Sequence, residues 1–335
     1  MSETTIQVDN LVKTYAGVTA VNEVSFSVQK GEIVGFLGPN GAGKSTTMRI
    51  LTGFVPATSG TAAICGHCVA TESHEIRKVL GYMPENNPLP ENLRVEEYLR
   101  LRGKLKGLRR DRLRSRLDAV LEECDLTRAR KRIIGTLSKG YRQRVGIADA
   151  VIGEPKVIIM DEPTIGLDPH QIVLIRDLIS SLRGRMSIII SSHILPEIEM
   201  TCDRVIIINS GRIVAADTPE KLRQEFVNQS TYLIEIHGSR ERFASAVAKA
   251  GSHLEIDSEA EVSDDGFRTV TVTSKDPADA GERLLSALHH DPYLRLRSLH
   301  RIKPSLEEVF MAATRRSWEV LMPVDERNKR NGESA

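Results

Sequence analysis

The 335-residue chain carries 46 Lys and Arg against 45 Asp and Glu, a formal net charge of +1, with 4% aromatic residues. That balance suits a globular protein and gives no general reason to expect nucleic acid as a partner. No apolar run approaches the ~20 residues of a membrane span, and "MSETTIQVDN" lacks the basic-then-apolar layout of a secretory signal, so a cytoplasmic protein is expected.

The chain opens with "TIQVDNLVKTY" and "VNEVSFSVQKG", whose alternation predicts half-exposed antiparallel strands. "EIVGFLG" follows as a continuous apolar run, the first of four; the others are "KVIIMDE", "MSIIISS" and "RVIIINS". Runs of this kind, bounded by turns and separated by helical segments, predict buried strands of a mostly parallel sheet. Directly after the first run, "GPNGAGKST" fits the phosphate-binding pattern G-x-x-x-x-G-K-[ST], with Gly38, Gly43, Lys44 and Ser45 at the required positions. A strand before it and the helix-forming "STTMRILTGF" after it supply the context the motif needs. Its glycines let successive N–H groups converge on phosphate oxygens. Lys44 would place a charge at the β- and γ-phosphates, and Ser45 a hydroxyl on Mg²⁺. Gly38, Pro39, Asn40, Gly41, Ala42, Gly43, Lys44, Ser45 and Thr46 are therefore the expected nucleotide-binding loop.

The four cysteines include the pair Cys65 and Cys68 in "ICGHCVA". The surrounding "GTAAICGHCVA" reads as a short hairpin without a helix start, and no second CxxC completes a zinc site, so a structural role is expected. Between Glu91 and Arg132, Leu113, Leu117, Val120, Leu121 and Cys124 mark a helix with one apolar stripe, in a segment crowded with Lys and Arg. The cations predict a solvated face, with a docking surface for an acidic or membrane-side partner as the alternative. Next, "TLSKGYRQRVGIADAVI" runs from a polar turn into an amphipathic helix with Val145, Ala148, Val151 and Ile152 on one side. Ser138 and Gly140 in that turn offer a hydroxyl and free N–H groups to an anion.

"VIIMDEP" ends an apolar strand in two carboxylates at the carboxyl edge of the sheet, beside the phosphate loop. Asp161 would hold Mg²⁺ and Glu162 would orient and polarise an attacking water. After Phe226 the order becomes β-α-β-β-α-β, from "TYLIEIH" to "YLRLRSLHRI", followed by the helix "SLEEVFMAATRR" and a polar tail. The predicted fold is thus α/β: a P-loop domain with antiparallel N-terminal strands and a helical subdomain, plus a small ferredoxin-like α+β domain. The expected boundaries are 1–226 (helical part about 86–150), 227–320 for the second domain and 321–335 for a disordered tail.

From Ile6 to about Leu222 these motifs together resemble the ATP-binding subunits of ABC transporters. "LSKGY" resembles that family's signature, which implies that Ser138 and Gly140 serve the γ-phosphate of ATP held by a second subunit, in a dimer around two Mg-ATP. The resemblance further implies Tyr15 stacked on adenine, Asp168 of "GLDP" at the partner subunit, and His193 as the switch histidine beside the γ-phosphate and the catalytic water. Glu85 stands where most members carry Gln reaching Mg²⁺ and the water; it keeps the capacity to bind Mg²⁺ but changes the charge. Lys139 and Tyr141 likewise depart from the commonest signature. "PENNPLPENLRVEEYL" is similar to the gliding-motility-associated branch, and "SLEEVFMAAT" to subunits working with ABC-2-type membrane partners. The implied protein is a peripheral ATPase subunit at the cytoplasmic face of the membrane, catalytic through Lys44, Glu162 and His193, driving a polytopic permease, as a homodimer and without nucleic acid. The alternatives are an ABC-type ATPase acting on ribosomes or nucleic acid, which the single copy and missing heptads disfavour, and a regulatory subunit.

Overall fold

The computed structural model describes residues 3–226, 230–259, 265–274, 280–302 and 304–321. Two compact units divide the chain, Met1–Pro219 and Glu220–Ala335. In the first unit β1 (Thr4–Tyr15) and β2 (Val18–Gln29) form a hairpin, followed by β3 (Ile33–Leu37) and α1 (Lys44–Leu51). Next come β4 (Ser59–Ile64), β5 (His67–Cys68), α2 (Ser73–Val79) and β6 (Leu80–Met83). The helical region holds α3 (Val95–Leu105), α4 (Arg110–Glu123) and α5 (Lys139–Val151). The chain returns through β7 (Val157–Asp161), α6 (Pro169–Ser181), β8 (Ser187–Ser192), α7 (Leu195–Thr201), β9 (Arg204–Asn209) and β10 (Arg212–Asp217).

The central sheet runs β10-β9-β3-β8-β7-β6, all neighbours parallel except the β9–β10 pair. Every residue of β3, β7 and β8 is buried, which is why these segments read as unbroken apolar runs. A second sheet, β2-β1-β4-β5, is antiparallel and shows the alternating pattern instead. Its inward residues Ile6, Val8, Leu11, Val21 and Val24 share one core with Met48 and Leu51 of α1 and Ile189 and Ile206 of the central sheet. The phosphate-loop helix is thereby anchored in the core that both sheets build.

The CxxC is the tip of the β4–β5 hairpin. Ile64 pairs with His67 across Cys65 and Gly66, whose φ values of 51 and 83 are both left-handed, as a two-residue type I′ connection requires. All four cysteines are free thiols, and among the described residues no cluster of three candidate ligands could hold a metal.

Two expectations change in the helical region. First, α5 is no amphipathic helix: Gly140 and every residue from Gln143 to Val151 are buried. Its polar members are buried because they have partners. Asp149 accepts from Tyr98 Oη at 2.9 Å and from Arg102 Nε at 2.6 Å, and Arg144 reaches Asp125 at 2.5 Å. Second, several cations of the basic segment are structural, not solvated. Arg116, 7% exposed, donates to the Val151 carbonyl at 3.0 Å and pairs with Glu123, while Arg130 bridges Glu96 and Asp118. A sequence pattern counts apolar residues only, so it misses a helix face buried through ion pairs.

In the second unit, α8 (Pro219–Phe226) precedes β11 (Ser230–His237), α9 (Arg240–Ala250), β12 (Leu254–Glu259), β13 (Arg268–Ser274), α10 (Ala280–His289), β14 (Arg295–Ile302) and α11 (Leu306–Leu321). The sheet order is β12-β13-β11-β14, every pair antiparallel, and Phe243, Val247, Leu284 and Leu288 from α9 and α10 pack on Ile234, Ile236, Val270 and Val272. The expected tail falls, from residue 322 onward, outside the described residues. Among the described residues no helix is long and apolar enough to cross a membrane.

Candidate functional site

The loop between β3 and α1 cannot be built from ordinary residues. Gly41 and Gly43 have φ values of 80 and 106, and a Cβ on Gly38 would stand 2.4 Å from the Ile208 carbonyl oxygen. The left-handed Gly43 is the N-cap of α1 and has no side chain to occupy the helix N–H groups. Those groups therefore point at whatever fills the loop, where the helix dipole favours an anion.

Around this loop lies a cavity of about 500 Å³, and it collects most of the residues singled out in the sequence. Pro39, Asn40, Gly41, Gly43, Lys44, Ser45 and Thr46 form its floor, and Glu85, Glu162 and His193 stand at its walls. Gly38 and Ala42 lie behind the loop as supports: Gly38 gives its carbonyl to Lys44 Nζ at 2.6 Å, and Ala42 gives its own to Gly211 N–H at 3.0 Å.

Lys44 is 6% exposed and its Nζ lies 3.7 Å from Glu162 Oε1. Ser45 Oγ donates to Asp161 Oδ1 at 3.2 Å, across from α1 to the end of β7. Glu162 has a left-handed φ of 50, a strained conformation for a side chain with a Cβ. Its N–H is held by Ser191 Oγ at 3.0 Å, and its Oε2 meets His193 Nδ1 at 2.8 Å. Lysine, carboxylate and imidazole thus form one contiguous array. Ser191, which also donates to Asp161 Oδ1, is the member that sequence reasoning missed. No local signal marks it: only the pairing of its strand with β7 sets it opposite Asp161, two residues before His193.

Ser45 and Asp161 are joined and Glu85 lines the same cavity as Ser45; all three offer only oxygen, the donor chemistry that suits Mg²⁺. Burial and the Asp161 charge push the Tyr82 hydroxyl, on β6, up to about 12, so it stays neutral. Behind the site, the Thr164 hydroxyl donates to Glu197 Oε2, while Glu197 Oε1 is buried without a partner. Burial raises that carboxyl, and the charge of Glu162 adds to the effect.

The remaining expected residues are elsewhere. Tyr15 ends β1, 43% exposed, with Lys13 Nζ 4.9 Å above its ring, and does not line the cavity. Ser138 is exposed at the N-cap of α5, and its side chain caps nothing. Gly140 is buried beneath Gln171, and a Cβ there would meet Gln171 Oε1 at 2.1 Å. Asp168 caps α6, accepting from Gln171 N–H at 2.9 Å. None of Ser138, Gly140 and Asp168 reaches the cavity within this chain. Between the two regions, Asn87 Nδ2 donates to the Arg142 carbonyl at 3.0 Å, tying the Glu85 loop to α5.

Residues 21–165 match the family described as ABC transporter. Over almost its whole length the chain is similar to the linearmycin resistance ATP-binding protein LnrL of Bacillus subtilis, 33% identical across 93% of this chain and 99% of that protein. The chain belongs to the ABC transporter ATP-binding family. It is 32% identical to the Nod factor export ATP-binding protein I of Ralstonia nicotianae, across 93% of this chain and 94% of that one. Identity reaches 40% with the ATP-binding cassette sub-family A member 2 of Rattus norvegicus, where this chain spans 9% of the relative's length. A solved ATP-binding subunit of an ABC transporter superposes with a TM-score of 0.61 at 34% identity, covering 66% of this chain and 93% of that one. Nucleotide binding through a P-loop, ATPase chemistry and a role in transport are properties of this family. The α/β P-loop fold is common to the family's solved members.

Proposed function

We propose that the protein hydrolyses ATP as the motor subunit of a membrane transporter, in a dimer closed around two Mg-ATP. The observation that carries the reading is the contiguous array of Lys44, Glu162 and His193 lining one cavity, with Ser45 and Asp161 beside it. The loop N–H groups and Lys44 bind the phosphates. Ser45, Asp161 and Glu85 would hold Mg²⁺, which would neutralise charge on the phosphates. Glu162 accepts a proton from the attacking water, and His193 keeps the carboxylate turned toward it. Tyr15, exposed at the end of β1, is the proposed adenine platform.

The exposed Ser138 and its uncapped helix end, with Gly140 and Asp168, are assigned to the partner subunit's ATP. One γ-phosphate then bridges Lys44 of one chain and Ser138 of the other, so hydrolysis releases the dimer. A dimeric relative in a post-hydrolysis state with ADP and phosphate, 24% identical, shares the fold. The likeness, over 93% of this chain, to Nod factor export and linearmycin resistance ATP-binding proteins supports a separate permease at the inner membrane face; its ABC-2 type is proposed from the "SLEEVFMAAT" resemblance alone. The domain limits 1–226 and 227–320 are proposed as motor and accessory modules.

The test is to purify Glu162→Gln with Mg-ATP from gently solubilised cells and identify what co-elutes. A polytopic membrane protein in stoichiometric amount is expected. Ribosomes or nucleic acid without a membrane protein would transfer the ATPase to a different task.

A further inference from the structure

The α3–α4 hairpin sorts its cations into two sets. One set has acidic partners, buried or at the surface: Arg102 with Asp149, Arg112 with Glu154 and Arg116 with Glu123, with Arg130, beyond α4, joining Glu96 and Asp118. Arg100, Lys104, Arg109, Arg110 and Arg114 do not. All five are exposed, surround one cavity of about 420 Å³, and form no ion pair with a carboxylate among the described residues, though Arg100 acts on Glu96 through charge. The N-terminus of α4 opens beside them without a side-chain cap, and Asp111 is the one acid of its first turn. Five like charges gathered on one face repel each other, and an anion bound there would relieve that repulsion.

Shape decides which kind of anion. The cavity floor, Leu108, Leu113 and Leu117, is 8%, 6% and 1% exposed, and so offers an acidic peptide almost no apolar surface to bury. Free apolar surface is found on the neighbouring positions of α3 instead. Leu101 and Leu105, one turn apart on α3 and next to Arg100 and Lys104, are 48% and 71% exposed. Projecting leucines flanked by long cationic side chains match a flat interface that is apolar below and anionic above. There the leucines enter and the cations stay among the phosphates.

We propose that this face binds an anionic lipid bilayer directly, the headgroup phosphates pairing with the five cations while Leu101 and Leu105 enter the headgroup boundary. The contact is made by this chain itself and does not depend on the permease reading.

The purified full chain would be sedimented with vesicles of phosphatidylcholine alone and of phosphatidylcholine with phosphatidylglycerol. Binding is expected only to the anionic vesicles, weakening as ionic strength rises. The double variant Arg100→Glu, Lys104→Glu should lower partitioning by ~30-fold or more, and Leu105→Ser by several-fold. Both should retain the native melting temperature and the native rate of ATP hydrolysis, because neither touches the cavity at Lys44. No binding to anionic vesicles, equal binding to neutral ones, or an unchanged double variant would overturn the proposal. Tighter binding to soluble polyglutamate than to vesicles would also overturn it and assign the face to an acidic protein. Each of these failures leaves the ATPase reading intact.

Discussion

The phosphate loop and the Ser138 turn are both glycine-containing turns leading into helix N-termini, yet the chain treats them differently. At the first, Lys44 is buried, Ser45 is bonded to Asp161, and Glu162 is bonded to His193. At the second, Ser138 is exposed, caps nothing and lines no wall of the cavity. One turn is built into a polar site within the chain, and the other is left open at the surface. The lesson is that similar local sequence at two helix starts does not make two equally finished sites; the proposed dimer is what would give the second one its anion.

The sharpest way to break that contrast is Glu162→Gln, which keeps the shape and removes the base. Hydrolysis is expected to fall by roughly 10²–10⁴, measured as phosphate release, with nucleotide still bound. A variant that turned over at the native rate would remove Glu162 from the chemistry. A smaller effect separates the two turns. Ser138→Ala deletes one hydrogen bond to a charged group, about 1.5–3 kcal/mol, and should slow hydrolysis by ~10- to 100-fold. At protein concentrations too low for dimers, its nucleotide affinity by fluorescence titration should equal the native value. An equal loss in both measurements would mean that the two turns act on one nucleotide within a single chain.

The smallest expected effect sharpens the comparison from behind the site. Burial holds the Glu197 carboxyl above its ordinary value near 4.5, so the folded protein binds this proton more tightly than the unfolded chain does. Its contribution to stability is full below that ordinary value and is lost as pH rises through the raised one. Glu197→Gln imitates the protonated form. Its melting temperature relative to the native protein should therefore climb as pH rises from 4.5 through the raised value and then level off. A constant difference across that range would show that Glu197 is not raised.

The phosphate loop, the four buried strands and the carboxylate pair were legible because each depends on local spacing or on an apolar run. The β-α-β-β-α-β order after Phe226 was legible for the same reason. What stayed hidden depends on contacts between distant residues. Arg116 looked like one more solvated cation, yet it is buried against the Val151 carbonyl, 35 positions away. The polar residues of α5 hid the burial of its stretch from Gln143 to Val151 because their partners, Tyr98, Arg102 and Asp125, lie on other segments. Ser191 was hidden by its plainness, since a serine in a strand has no signature until the strand pairing sets it opposite Asp161.

Asn87 has a mechanical consequence. Its amide donates to the Arg142 carbonyl and lies against Gly146, where any added Cβ would stand 2.2 Å from Asn87 Nδ2. The side chain is thus a tooth seated in a notch that only a glycine leaves open. The stretch bearing Glu85 and the helix beginning after Ser138 are thereby joined at one contact. In the proposed dimer, that contact gives a displacement at one nucleotide a path to the surface that meets the other.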